Sequence, residues 1–548
     1  MFKLVILSFA LVQSAFCTAR AEPIRVDIAI YGGTSAGVAA AVQAARMGKK
    51  VLVIEPSSHI GGLTSGGLGA TDIGNKQAIG GISREFYKRI KHYYSEDSAW
   101  NHQPRDEYRS VRQSDSDDAM WTFEPHVAER VFKAMLSEHR VQVLLNARLR
   151  RDANGIEKRG ATIKSICLES GETIVASRFV DCTYEGDLMA LAGVSFIVGR
   201  ESKELYDESL AGVQALNATK HQLQPGISPL RVPDAPSSGL LPGLSGGAGQ
   251  EGPGQEGSGD HRVQAYCLRM CNTQHKPNMR PFVKPDGYDE LQYELLFRNF
   301  EAGSTLTPWH PIAMPNLKTD TNNNGGFSTD FIGYSYTWAE ASYQERERIY
   351  NDHLTYQQGL MWTLANHPRV PADIREYFSS WGNCRDEFSD NEGWPHQLYV
   401  REARRMVSDY VVTQHHCQGR QTAEWPVALA AYTMDSHNVR RYVDDDGYVK
   451  NEGDVQVGGF PPYPVDYRAL VPEADQCNNL LVPVCLSASH MAYGSIRMEP
   501  VFMVLGQSAA TAACQSIDQS TDVQSIDLKR LQRRLLDDGQ RLGLTADN

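Results

Sequence analysis

No C-x-x-C pair occurs in this chain of 548 residues, and its one close cysteine pair, Cys267 and Cys271, has helical spacing. A zinc or iron–sulfur site draws on four ligands, often from paired short spacings, so the cysteine spacing does not support a cluster or any other metal site. Ten cysteines are present and Cys17 falls in the N-terminal leader. The odd remainder, scattered from Cys167 to Cys514, is no disulfide framework of the small secreted kind. Buried thiols are the expectation, with one or two bridges left open. Positive charge is short as well: a net charge of −12 leaves no basic excess to displace counterions from a nucleic acid. A small-molecule substrate is expected instead.

Long apolar runs are equally scarce. Leu4 to Phe16 is almost wholly apolar but too short to span a bilayer, and no later segment qualifies, so the mature chain should carry no transmembrane anchor. With Lys3 before it and Ala19-Arg20-Ala21 as an A-x-A cleavage site before Glu22, this run reads as an export signal. No Arg-Arg pair precedes it, which points to the route that exports unfolded chains. The expected location is periplasmic or secreted, and a bound cofactor would be acquired outside the cytoplasm. Phe16 is too large for a lipoprotein cleavage box before Cys17.

What the chain does have is the makings of a large α/β core. Its length predicts two domains, and 41% hydrophobic with 22% charged residues is a globular balance. Val26 to Tyr31 (VDIAIY) is short and β-branched-rich and predicts a buried strand. SAGVAAAVQAARMG is a helix of small residues stopped at Gly48, and VLVIE is a second strand ending at Glu55. A helix from Pro125 to His139, a strand from Val141 to Leu145 and a hairpin between Ile163 and Phe179 follow, the last ending in FVDCTYEGD. The expected division is a signal over 1–21, a nucleotide-binding part over 22–198, a substrate or cap domain over 199–465, a second nucleotide-binding part over 466–530 and a tail over 531–548. Residues 237–260 are nearly all Gly, Ser, Pro, Gln and Glu and read as a flexible surface insertion.

Tyr31 to Gly37, YGGTSAG, is a glycine turn between strand and helix, where unpaired helix amides and the helix dipole favour an anion. Gly32 permits the turn, Gly33 and Gly37 allow close approach, and Thr34 stands where the dinucleotide fingerprint has its middle glycine. Its hydroxyl offers a phosphate donor, and Ser35 and Ala36 supply the first helix amides. Glu55 lies 23 residues after Gly32, where a carboxylate can accept both hydroxyls of an adenosine ribose. A second glycine loop, HIGGLTSGGLGATD, follows at once with the Gly61-Gly62 doublet that flavoproteins use. Asp181 ends the returning strand. No second dinucleotide fingerprint appears, so the reading is FAD without a nicotinamide domain.

Taken together, YGGTSAGVAAA, IGGLTSGGLGATDIGN, FVDCTYEGDLMALAGV, VQAYCLRMC, DEFSDNEGWPHQLYVREARRM, PPYPVDYRALVP and SASHMAYGSIRMEPVFMVLGQSAA span nearly the whole mature chain. They resemble the FAD-dependent oxidoreductase family of exported bacterial proteins, some of them labelled xanthan-lyase-like, in the two-dinucleotide-fold flavoprotein superfamily. The resemblance implies an α/β fold, a Rossmann-like FAD/NAD(P)-binding fold with an inserted α+β substrate domain. It carries over Gly32, Gly33, Gly37, Glu55, Gly61 and Gly62 as FAD contacts. Relatives of the flavin module in heterodisulfide-reductase subunits hold iron–sulfur clusters, which the cysteine spacing does not support here.

The resemblance also returns Ser487 to Ala510 to the flavin. Within it His490 is the candidate base, with a structural loop histidine as the alternative. Arg497 is the candidate for stabilising reduced flavin or an anionic substrate, against a salt bridge to Glu499. Arg401, Arg404 and Arg405 would share one side of a helix, facing a carboxylated or sugar substrate or, as the alternative, lying on an exposed helix with Arg405 paired to Asp409. His415-His416-Cys417 is too contiguous to converge on one ion. His59 is a candidate for covalent flavin attachment or a turn role. Trp394, Tyr399, Tyr463 and Tyr467 are candidates for stacking on a sugar or for the core, and Glu185 and Asp187 for a base or ribityl contacts. The expected activity is hydride transfer from an alcohol carbon of a sugar or other polar small molecule to flavin. The alternatives are a flavin-dependent C=C reductase or dehydrogenase and a non-catalytic carbohydrate-binding protein. Oxygen, a quinone or a carrier protein remain as electron acceptors.

Overall fold

The structure is a computed structural model that describes residues 22–114, 116–245 and 252–543. The expected leader and the end of the tail lie outside the described residues.

β1 (Ile24–Tyr31) is buried from Ile28 onward because parallel partners flank both its edges. β2 (Val51–Ile54) meets it at Ile30↔Val53, and β6 (Thr173–Asp181) at Ile30↔Val180. β3 (Gln142–Leu144) extends the sheet beyond β2, and the antiparallel strands β4 (Ile156–Arg159) and β5 (Thr162–Cys167) extend it beyond β6, giving the order β3-β2-β1-β6-β5-β4. Strand Leu480–Leu481, from the far end of the sequence, pairs in parallel with β6. The chain therefore builds one Rossmann-like α/β sheet from both of its ends.

α1 (Ser35–Arg46) connects β1 to β2 and is buried from Ser35 to Ala44. Its small residues let helix Glu499–Gln519 lie directly against it. A Cβ on Gly37 would fall 1.9 Å from the Gly32 carbonyl oxygen, and one on Gly506 would fall 2.2 Å from that of Ala36. α2 (Gly81–Tyr93) and α3 (Pro125–Glu138) complete this layer, α3 opening on Pro125 as the sequence indicates.

The intervening chain forms a five-stranded antiparallel sheet in the order Met279–Pro281, Gly382–Cys384, Met270–Thr273, Lys318–Asn323 and Trp309–Met314. Helix Tyr343–Asn366, opened by a Ser342/Glu345 capping box, packs with it in the main core.

Several local expectations fail here. Cys271 is on a strand rather than a helix, with its sulfur 3.6 Å from that of Cys384 on the neighbouring strand. Cys267 instead lies beside Arg401. REARRM is not helical either: Arg405–Met406 is a short strand, and the three arginines diverge toward different buried carboxylates. Arg401 meets Asp330 at 2.9 Å, Arg404 meets Asp187 at 2.9 Å, and Arg405 meets Glu201 rather than Asp409. A buried guanidinium requires such a partner, and this demand overrides the helical spacing. The described ends of the Gly-rich stretch are tied down by main-chain bonds that composition does not reveal. Leu244–Ser245 pairs with Arg440–Val443, Gly257 N donates to the Val213 carbonyl while Val213 N donates to that of Ser258, and Asp260 exchanges hydrogen bonds with Arg200.

The helix contact has a direct test. Gly506→Leu should misfold or unfold at a markedly lower temperature, because overpacking costs about 1–3 kcal/mol even where neighbours can yield and here the obstacle is backbone. Gly252→Ala, with nothing within 4 Å, should leave the thermal midpoint unchanged.

Candidate functional site

Between the end of β1, the β2 turn and helix Tyr343–Asn366 lies a cavity of about 310 Å³, at the small end of ligand pockets. Gly32, Thr34, Glu55, Gly62, Thr183 and Tyr184 are among its walls. Gly32 has φ +98°, and a Cβ there would meet the Cys182–Thr183 backbone at 2.8 Å, so this position demands glycine. Thr34 does not occupy such a position: with φ −64° it is the N-cap of α1. Its hydroxyl accepts from Gly37 N at 3.3 Å and donates to the Cys182 carbonyl at 2.7 Å. The threonine thus joins β1, α1 and β6, which a glycine would not.

Glu55 points back into this turn. One carboxylate oxygen accepts from Gly33 N at 2.6 Å and the other from Ser57 N at 2.7 Å. Burial pushes its pKa up, against the lowering effect of those bonds. A glycine turn, the first amides of α1 and a carboxylate at the end of β2 together fit the ribose and diphosphate of FAD. Aromatic and cationic groups, Trp338, Tyr343 and Arg148, line the same cavity.

The remaining nucleotide-site candidates lie behind this wall. Ser35 donates its hydroxyl to the buried Glu499. Ala36 and Gly37 face the packed helices, and Gly61 N bonds to Gly33 O at 2.7 Å. Asp181 spends both oxygens on its own turn, accepting from Thr183 and from Met189 N, and burial raises its pKa to about 6. Glu499 gathers the Ser35, Thr64 and Tyr184 hydroxyls, so it is not the partner of Arg497.

His59 and His396 also line the cavity, stacked with ring centroids 3.7 Å apart. His59 is held by Asp390 at 2.9 Å and Glu129 at 3.4 Å. Glu185 accepts from Trp338 Nε1, and Asp187 is ion-paired to Arg346 and Arg404. Tyr467 donates to the Val523 carbonyl in the core, Trp394 and Tyr463 are buried, and His416 bonds to Tyr410. Among the described residues one group could hold a metal, Glu124, His126 and Glu387. The Lys318 ammonium already lies 2.7 Å from both glutamates.

Tyr399 follows the cavity residues Gln397 and Leu398 in the chain, and the buried interior around it is charged. Arg401, Arg497 and Arg269 hold their guanidinium carbons 4.5, 5.7 and 5.9 Å from the Tyr399 ring centroid. Each has its own carboxylate: Asp330 for Arg401 at 2.9 Å, Asp435 for Arg497 at 3.3 Å and Asp320 for Arg269 at 2.8 Å. His437 stands between two of these acids, Nδ1 2.8 Å from Asp330 and Nε2 3.5 Å from Asp435. Burial pushes the Asp330 carboxyl up, but Arg401 and His437 outweigh it and hold the pKa at about 2. Asp435 is likewise held below the usual carboxylate range by His437 and Arg497 against burial.

Several polar atoms here have no hydrogen-bond partner among the described residues: Arg401 Nε, Arg497 Nε, Gln264 Nε2 and Asn438 Oδ1. Unmatched buried polar atoms are costly and mark where a ligand would be recognised. Of the sequence candidates Arg401, Arg497 and Tyr399 belong to this cluster. His490 stands just behind it, bonded to Glu402 at 2.8 Å and to Ser436 at 3.1 Å. Asp330, Asp435, His437 and Gln264 form no local motif. The polar run Asp435-Ser436-His437-Asn438 amid apolar strands is the one signal that could have found them.

A Rossmann-like sheet with a glycine turn and a glutamate at the end of its second strand is the fold of a FAD-binding oxidoreductase. The family model described as FAD dependent oxidoreductase matches residues 27–535, and the chain belongs to that family. No curated protein matches the sequence. Among solved structures it is 17% identical to L-proline dehydrogenase from P. horikoshii, covering 33% of this chain and 59% of that one with a TM-score of 0.23. L-amino acid deaminase from Proteus vulgaris is 15% identical over 33% of this chain and 54% of its own, with a TM-score of 0.23. OxyS anhydrotetracycline hydroxylase from Streptomyces rimosus is 12% identical over 33% of this chain and 36% of its own, with a TM-score of 0.24. The chain thus spans between about a third and three-fifths of these proteins' lengths, and TM-scores this low carry no argument.

Glu55 generates a pH prediction. Only the carboxylate accepts two ribose hydroxyls, so FAD binding to apoprotein should weaken on acidification already above the ordinary glutamate range, because burial raises this pKa. Glu55→Gln should cost about tenfold or more in affinity and flatten that pH dependence. Fluorescence titration at several pH values reads both; an unchanged profile in the variant would remove Glu55 from the ribose.

Proposed function

We propose that this protein is an exported FAD-dependent dehydrogenase or oxidase that takes a hydride from an alcohol carbon of a sugar or other polar small molecule. FAD, when bound, supplies the hydride acceptor. The observation that carries the reading is the composition of the Tyr399 cluster. Arg269, Arg401 and Arg497 are offset by Asp320, Asp330 and Asp435, so the site carries no excess charge for an anion. Its unmatched atoms include both donors and an acceptor, and a hydroxyl, which both donates and accepts, satisfies such a set. A hydrocarbon would leave them unpaired, at a desolvation cost of about 1–3 kcal/mol each.

Tyr399 supports a second reading. Its hydroxyl accepts from Arg497 Nη1 at 3.0 Å, a phenol placed to give a proton to carbon in a C=C reductase. Export rests on the leader sequence and Ala19-Arg20-Ala21, with a periplasmic or secreted location. The described residues contain no helix long and apolar enough to cross a membrane. Oxygen, a quinone or a carrier protein is the proposed electron acceptor.

Anaerobic mixing of the FAD-loaded protein with a panel of neutral sugars, uronates, hydroxy acids and unsaturated acids tests the reading through bleaching of the flavin absorbance. A neutral polyol should bleach it fastest. Bleaching by uronates alone would overturn the neutral-substrate argument. Reoxidation of reduced enzyme by an unsaturated acid, with no reduction by any alcohol, would establish the second reading.

A further inference from the structure

We infer that Cys271 and Cys384 are joined by a disulfide in the working protein, an inference that rests on the export reading above. The two lie on neighbouring antiparallel strands, Met270–Thr273 and Gly382–Cys384, inside the five-stranded sheet. The register pairs Gly382 with Thr273 and Asn383 with Asn272, and one further step sets Cys384 directly opposite Cys271. Residues so opposed have Cα atoms about 4.5 or 5.5 Å apart, and both spacings fall inside the range of about 4.4–6.8 Å that a disulfide spans. Their side chains share one face of the sheet, and the sulfurs are 3.6 Å apart. A bond needs them to close to about 2.05 Å, a movement that side-chain rotation supplies. The strands stay in place, each held on its other edge as well: Cys384 is beside Met279 and Cys271 beside Asp320.

The surroundings separate this pair from the other buried thiols. Cys485 donates to the Thr183 carbonyl, Cys477 donates to Asn479, and Cys267 lies beside Arg401. Cys271 and Cys384 have each other, fully buried in a small apolar cluster with Met314 and Phe388. Burial pushes both thiols above their ordinary range, and the thiolate is the species that exchanges. In the folded protein the pair is therefore slow to oxidise and, once joined, slow to be reduced. The bond has to form earlier. A leader that sends the chain out unfolded presents both thiols to an oxidising compartment before the sheet closes over them.

The bond is made by thiol–disulfide exchange. The thiolate of one cysteine attacks a donor disulfide, either glutathione disulfide or that of a protein oxidant, forming a mixed disulfide and releasing one donor thiolate. The second cysteine attacks the mixed disulfide, the Cys271–Cys384 bond forms and the second donor thiolate leaves. Two electrons pass from the protein's sulfurs to the donor, and the two protons given up by the cysteines are taken up by the donor thiolates. The bridge joins residues 113 apart in sequence, enclosing helix Tyr343–Asn366, whose Tyr343 and Arg346 line the FAD cavity. A cross-link across so long a loop removes much freedom from the unfolded chain. It also ties the strand after Arg269, the partner of Asp320, to the strand before Asp386 and Glu387, which hold Lys318.

The test counts thiols. The full chain with its leader is recovered from the periplasm or medium of an expressing host, denatured in iodoacetamide without reductant and mapped by mass spectrometry. Of the nine cysteines beyond the leader, seven should be alkylated and two joined, with the peptides of Cys271 and Cys384 linked to each other. Prior reduction should give nine alkylated. Nine alkylated without reduction, or a bridge elsewhere with Cys271 and Cys384 free, would overturn the inference. A second arm does not depend on export: the denatured, reduced chain is refolded with FAD in a mixture of reduced and oxidised glutathione. The same linked peptides are expected, with a thermal midpoint about 5 °C above that of chain refolded in reductant. In Cys384→Ala the two preparations should melt together. Free Cys271 and Cys384 after refolding with oxidised glutathione would overturn the inference whatever the compartment. A chain retained in the cytoplasm with nine free thiols that nonetheless joins these two on refolding would overturn the export reading instead.

Discussion

The structure depends on how closely helix Glu499–Gln519 lies against α1. The sequence provides for that contact with small residues on both helices, and a single methyl added at Gly506 would meet the Ala36 carbonyl oxygen. Close packing brings the Glu499 carboxylate to the Ser35, Thr64 and Tyr184 hydroxyls, so the far end of the chain is bonded to the nucleotide turn. It also fixes Arg497, two residues earlier, against Tyr399 and Asp435. The nucleotide turn and the charged cluster are therefore set by the same interface.

Charge compensation is the second organising constraint. A guanidinium taken out of water is tolerated only with a carboxylate and further hydrogen bonds, and Arg269, Arg401, Arg404, Arg405 and Arg497 each have one. Two of these pairs, Arg404 with Asp187 and Arg497 with Asp435, tie the intervening chain to the segments that build the nucleotide-binding sheet. The arrangement also places His437 between two carboxylates, Asp330 and Asp435.

Legibility in the sequence followed the range of the interaction. β1, α1, β2 and α3 were readable because their burial follows a local pattern, and Glu55 was found because its distance from Gly32 is set by one β-α-β unit. Thr34 was noticed as a departure, but its purpose, capping α1 while bonding to Cys182, needed β6 in place. REARRM misled because helical spacing is local whereas the carboxylates that claim each arginine are not. His490 lies in a segment recognisable by resemblance, but the groups that hold its ring, Glu402 and Ser436, come from distant parts of the chain.

The central claim is that the Gly32–Glu55 turn of this fold holds FAD as the working cofactor. The most direct measurement is the crystal structure of the FAD-loaded protein. The account predicts one FAD per chain, with its ribose on Glu55 and its diphosphate over the first amides of α1. A protein that takes up no FAD, or one whose bound FAD makes no ribose contact to Glu55, would contradict it.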